Sequence, residues 1–123
     1  TAAPKHALVA SLVAALSVGS RDAALTAIAE AKRQDVDMTL YLSLALERMR
    51  NVLLVRHAPE LRKEIAEECG AEEYAAIESM AQAKDSHLTH TVLATFLDAA
   101  ERIRFSPLPS LPLELAVLAA LPE

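Results

Sequence analysis

Residues 104–121 read RFSPLPSLPLELAVLAAL, a segment in which three prolines interrupt a helical pattern before an apolar helical pattern resumes. Proline fixes the backbone angle φ and has no amide hydrogen to donate, so it ends a helix that precedes it. We therefore predict a hinge at Pro107 and Pro109. A last helix follows this hinge. Ser110 is its predicted N-cap, and Pro112 is tolerated because first-turn amides have no helical partner.

The last helix is apolar on more than one side. Its large side chains form two stripes at helical spacing: Leu111, Leu115 and Leu118, and Leu113, Val117 and Leu121. A helix with so wide an apolar surface is expected to contact neighbours on several sides.

The same spacing of apolar residues predicts helices along the rest of the chain. They lie at residues 4–16, 20–33 and 38–57, in a short helix from Pro59 that Gly70 ends, in the segment EEYAAIESMAQA, and at residues 86–105. Gly19 is the predicted end of the first helix, and Ser20, Asp37 and Ser86 are predicted N-caps. The predicted fold is all-α, a compact bundle of five to six helices that forms one domain over residues 1–123.

The composition agrees with an all-helical domain that has an aliphatic core. The chain is 53% hydrophobic and 24% charged, and it contains only two tyrosines, two phenylalanines and two glycines.

Its formal net charge is −5, so the basic footprint of a nucleic-acid-binding protein is missing. No apolar run approaches the roughly 20 residues of a membrane span. We expect no direct contact with nucleic acid or membrane. The single cysteine, Cys69, fits a reducing compartment and a cytoplasmic location.

The sequence contains no recognisable catalytic motif. Two glycines cannot build the glycine-rich loop that cradles a nucleotide phosphate, and Cys69 has no evident partner base. His87 and His90 are three residues apart and would share a helix face, which is half of a metal site at most. We predict no catalytic, cofactor or metal residues in this chain. A small helical metal-binding protein that uses His87 and His90 remains an alternative.

The third and last helices carry more apolar positions than a small bundle usually buries. The simplest use of such a surplus is contact with other chains. We therefore predict a subunit interface at Met49 and Leu53 of the third helix and at Leu113, Val117 and Leu121 of the last helix.

The chain resembles a known family over nearly its whole length, from about His6 to Leu121, and two segments carry the resemblance. The segment SVGSRDAALTAIAEAKRQDVDMTLYLSLALERMRNVLLVRHAPE is similar to the first helices of the oligomerisation (collar) domain of the bacterial DNA polymerase III gamma/tau subunit. That family typically closes with a hinge of the form R-W-S-P-N-P-R and a helix of the form L-x-L-E-L-A-L-L. Here the hinge reads RFSPLPS and the helix LPLELAVL. Leu108 and Ser110 depart from this pattern, because a polar residue and an arginine are usual there.

The resemblance implies a fold and a function. The domain would be the non-catalytic collar that holds clamp-loader subunits in a ring while ATP-driven motion loads the sliding clamp in DNA replication. It would be a piece of a longer protein whose ATPase and lid modules lie outside this sequence, and ATP and Mg²⁺ would bind only in that ATPase module. The implied partners are gamma/tau copies, delta and delta prime, in a homo- or hetero-oligomer. The collar domain of a delta prime type subunit is an alternative.

Overall fold

The computed structural model describes residues 5–121, which form seven α-helices and no strand. The helices are α1 (Lys5–Val18), α2 (Arg21–Arg33), α3 (Met38–His57), α4 (Arg62–Cys69), α5 (Ala71–Gln82), α6 (His90–Arg102) and α7 (Leu111–Ala120). Two 3₁₀ turns, Pro59–Leu61 and Ile103–Phe105, precede α4 and follow α6. The all-α prediction is confirmed, with one helix more than expected. Pro4, where the first helix was predicted to begin, lies outside the described residues.

The long central helix α3 organises the bundle. It packs against α1, α5 and α6, while α1 pairs with α2, and α7 packs against both α6 and α2. Ten of its side chains are buried, including Arg48 and Asn51. Helices of its own chain therefore cover much of the apolar surplus that the sequence shows on this helix.

The core is aliphatic, as the composition predicts. Tyr41 and Phe96 are its two fully buried aromatic side chains, and Leu, Ile, Val, Met and Ala fill the rest. The Tyr41 hydroxyl donates a hydrogen bond of 3.2 Å to the Leu8 carbonyl oxygen of α1. This bond satisfies the one polar group that Tyr41 brings into the core.

Helix α1 ends where the sequence predicts an end. Gly19 has φ of +78°, its amide donates to the Leu16 carbonyl, and the Ser20 amide donates to the Ala15 carbonyl. This pair of bonds is the Schellman arrangement, which places a left-handed residue just past the helix. Ser20 then caps α2 through a bond from the Ala23 amide to its hydroxyl.

The prediction that Ser86 caps a helix over residues 86–105 is wrong at its start, whereas the helical run ends at Phe105 as predicted. Helix α6 begins at His90, and Thr89 is its N-cap, because Ser86 and His87 instead contact the end of α1. There the His87 amide donates to the Ser17 carbonyl at 2.8 Å, and the hydroxyls of Ser17 and Ser86 lie 3.2 Å apart. These contacts between distant parts of the chain hold the segment out of the helix. The last turn, Ile103–Phe105, is 3₁₀ rather than α.

Candidate interaction surface

The hinge is a five-residue connection, residues 106–110, between the 3₁₀ turn and α7. Ser106 closes it by donating to the Leu108 carbonyl at 2.7 Å, and the Leu111 amide donates to that same carbonyl at 3.0 Å. Pro107 and Pro109 both lie in this connection, as predicted from the sequence. Ser110 occupies the N-cap position of α7, but its side chain is buried and makes no capping bond.

Helix α7 turns one of its two apolar stripes inward and the other outward. Leu113, Val117 and Leu121 are at most 2% exposed. Leu115 and Leu118 are 52% and 45% exposed. The chain therefore covers only half of the apolar surface of its last helix.

The predicted interface residues fall on the buried side. Met49, Leu113 and Val117 are fully buried, Leu121 is 2% exposed, and Leu53 is 8% exposed. This burial argues against their predicted role in subunit contact. Apolar spacing predicted the two apolar stripes of α7 but could not show which of them α2 and α6 cover. The stripe of Leu111, Leu115 and Leu118, which the sequence also displays, is the one left partly open.

Further exposed apolar side chains lie at the hinge that precedes this open stripe. We call the stripe and these hinge residues together the outer α7 surface and define it as Phe105, Leu108, Leu111, Leu115 and Leu118. Phe105 is 80% exposed and Leu108 is 58% exposed. An exposed aromatic ring beside several exposed leucines is unusual, because singly scattered apolar residues are the ordinary condition of a protein surface.

A groove of about 720 Å³ between α6 and α7 borders the outer α7 surface. Phe105, Leu111, Leu115 and the small residue Ala119 form its apolar wall. The opposite rim carries an ion pair of 3.0 Å between Asp98 and Arg102. An apolar surface with charged groups at its edge is the common construction of a protein contact site.

Phe105 has a charged neighbour at the hinge. The guanidinium carbon of Arg104 lies 5.5 Å from the centre of the Phe105 ring, a cation–π distance. Arg and aromatic side chains are the residues that most often carry the binding energy of an interface. The pair is therefore a second feature, beside the open stripe of α7, that indicates a contact site near the hinge.

The histidines of the metal-binding alternative do not share a helix face. His87 lies before the first turn of α6, with its ring against Gly19, whereas His90 is the first residue of that helix. Within residues 5–121, no group of three or more His, Cys, Asp or Glu side chains could hold a metal ion.

Cys69, the last residue of α4, lies beside polar side chains of α3 and α5. Burial and the neighbouring Glu73 carboxylate raise the pKa of its thiol to about 11. Glu73 also forms an ion pair of 3.0 Å with the largely buried Arg48, and the Asn51 amide lies 3.7 Å from the Cys69 sulfur. A thiol with a raised pKa stays protonated and unreactive at neutral pH, which agrees with a structural role for Cys69.

Across the described part of the chain, no helix has the length and apolarity that a membrane span requires.

A helical domain with a closed aliphatic core and an apolar surface along its last helix has the construction of a protein-interaction domain. The family model for domain III of the DNA polymerase III subunits gamma and tau matches residues 4–122, and the chain belongs to that family. Comparisons with curated proteins and with solved structures gave no match. The family is that of gamma and tau, the clamp-loader subunits, rather than of the delta prime type.

Proposed function

We propose that this chain is the oligomerisation (collar) domain of a clamp-loader gamma/tau subunit and that its outer α7 surface contacts a neighbouring collar domain. The observation that carries the proposal is the open apolar stripe of α7, bounded by Leu115 and Leu118, beside the exposed ring of Phe105. Membership in the gamma/tau family supports a subunit of the clamp loader as the occupant. The partners would be gamma/tau copies, delta or delta prime.

The energetic reason is the apolar area that assembly would remove from water. Full burial of a Leu or Phe side chain stabilises by about 1.5–3 kcal/mol. Leu115 and Leu118 are about half exposed, so each would contribute about 1 kcal/mol on covering, and Phe105 would contribute about 2 kcal/mol. Together with Leu108 and Leu111, this is enough for a central anchor that a polar rim surrounds.

A ring sets a geometric condition on the contact. Head-to-tail rings use two different surfaces on each subunit, so the outer α7 surface would meet a different face of the next collar domain. The collar would hold subunits together without taking part in ATP hydrolysis, which would occur in the ATPase module of the parent subunit. This sequence itself has no glycine-rich phosphate loop.

The test is sedimentation velocity of this chain, alone and mixed with the collar domains of the other subunits, for wild type, Leu115→Asp and Leu97→Asp. Leu97 is a matched control, because it is 56% exposed on α6 but does not line the groove. We expect wild type and Leu97→Asp to form the same complexes and Leu115→Asp to lose them. Complexes that survive Leu115→Asp unchanged would contradict the assignment of the surface.

A further inference from the structure

Arg21, the first residue of α2, reaches across to the carboxyl end of α7. Its Nε donates to the Leu121 carbonyl oxygen at 2.9 Å, and its Nη2 donates to the Leu118 carbonyl oxygen at 2.7 Å. The last carbonyls of a helix have no partner within the helix, so these two bonds satisfy groups that otherwise depend on water. The planar guanidinium can hold both carbonyls at once.

The position of Arg21 is unfavourable for its own helix. A cation at a helix N-terminus opposes the helix dipole, whereas a cation at a C-terminus complements it. The charge of Arg21 therefore disfavours α2 and favours α7. Its placement is accounted for by the contact between the helices rather than by the stability of α2.

Helix α7 depends for its stability on contacts with other parts of the chain. It has ten residues, and isolated helices of that length are marginal in water. Its amino end is fixed by the hinge and the bond from Leu111 to the Leu108 carbonyl. At its carboxyl end, Leu118 belongs to the outer α7 surface and its carbonyl accepts from Arg21. Arg21 thus holds the part of α7 that presents Leu118.

We infer that Arg21 is a positioning residue for assembly: it fixes the carboxyl half of α7 on α2 so that the outer α7 surface is presented in one orientation. This inference rests on the proposed function. Without Arg21 the end of α7 would fray, and only molecules in which it is ordered would bind a neighbour. If about a tenth remain ordered, the apparent Kd of assembly rises about tenfold.

The experiment compares Arg21→Ala, Arg21→Lys and Arg56→Ala in this chain, using sedimentation to measure assembly and hydrogen exchange to measure the order of α7. Arg56 is the matched control, because its guanidinium also donates to backbone carbonyls, those of Met80, Ala81 and Leu88, none of which belongs to α7. Thermal unfolding of each variant shows the temperature range in which all are folded.

We expect Arg21→Ala to raise the Kd about tenfold and to speed exchange of the Leu121 amide, which donates to the Val117 carbonyl. Lysine keeps the charge but cannot hold both carbonyls in the same geometry, so Arg21→Lys should restore part of the affinity. Arg56→Ala should lower the unfolding temperature and leave the Kd within twofold. If Arg21→Ala does not fold, Arg21→Lys decides the result.

An Arg21 variant that assembles with the wild-type Kd while α7 exchanges faster would overturn the inference. So would an Arg56→Ala variant that weakens assembly as much as Arg21→Ala, because general destabilisation would then explain both. A wild-type chain that binds no collar domain contradicts the proposed function itself. That outcome is separate, since it appears before any variant is compared.

Discussion

Substitution of Gly19 by alanine tests how the α1–α2 turn is built. Gly19 has φ of +78°, and a Cβ at this position would lie 2.6 Å from two ring atoms of His87. A left-handed backbone costs about 1–2 kcal/mol for a residue with a Cβ. The His87 backbone is held in place, because the His87 amide donates a hydrogen bond of 2.8 Å to the Ser17 carbonyl, and it cannot shift to make room for the Cβ.

The two contributions add to a sizeable loss of stability. Overpacking of this kind costs about 1–3 kcal/mol, so Gly19→Ala should destabilise the chain by about 2–5 kcal/mol in total. In a His87→Ala background the steric part disappears, and the same change should cost only about 1–2 kcal/mol. The difference between the two backgrounds is the coupling between positions 19 and 87.

Gly70 provides the matched control for this cycle. It also has a positive φ, +88°, but a Cβ there would meet no atom within 4 Å. Gly70→Ala should therefore carry backbone strain alone and cost the same with or without His87. Urea unfolding of the wild type and the five variants measures all the free energies. Equal costs of Gly19→Ala in both backgrounds would refute the packing of His87 on Gly19.

Three further changes test other contacts by urea unfolding. Asp35 has φ of +56°, so Asp35→Gly should relieve strain and stabilise by about 0.5–1 kcal/mol; a loss of stability would count against the strain. Tyr41→Phe should cost about 1 kcal/mol, because the Leu8 carbonyl loses its buried donor; no loss would contradict that role. Burial raises the pKa of Glu73, but its bonds with Cys69 and Arg48 outweigh that effect and lower the pKa below the usual 4.5. A lowered folded-state pKa adds stability that is fully present above about pH 4.5 and is lost as the pH falls through the folded-state pKa. The loss of unfolding free energy caused by Glu73→Gln should therefore shrink at acid pH. A disadvantage that does not change with pH would contradict the ion pair.

Local sequence signals predicted most of the helices. Gly19 and Gly70 end helices where expected, Asp37 caps α3 by accepting from the Thr39 and Leu40 amides, and α3 has the predicted bounds. These features depend on residues close in sequence, which is why they could be read from it. The start of α6 could not be, because the contact of His87 with Ser17 that displaces it joins residues 70 positions apart.

The candidate surface was only half predictable. Apolar spacing showed two stripes on α7, yet the choice between them depends on how α2 and α6 pack against it. Val117 and Leu115 are equally apolar in sequence, and only the fold makes one buried and the other exposed. The contact of Arg21 with α7 could not be predicted, since no local sequence pattern links Arg21 to Leu118 and Leu121.

Cysteine accessibility in the assembled clamp loader tests the central proposal most directly. Leu115→Cys and Leu97→Cys would each be made in a parent subunit with Cys69→Ala, and the rate of reaction with a water-soluble maleimide compared before and after assembly. Both positions are about half exposed in the free domain, so both should react in the isolated subunit. The proposed contact predicts that assembly protects position 115 and leaves position 97 open. Equal reaction at position 115 before and after assembly would contradict it.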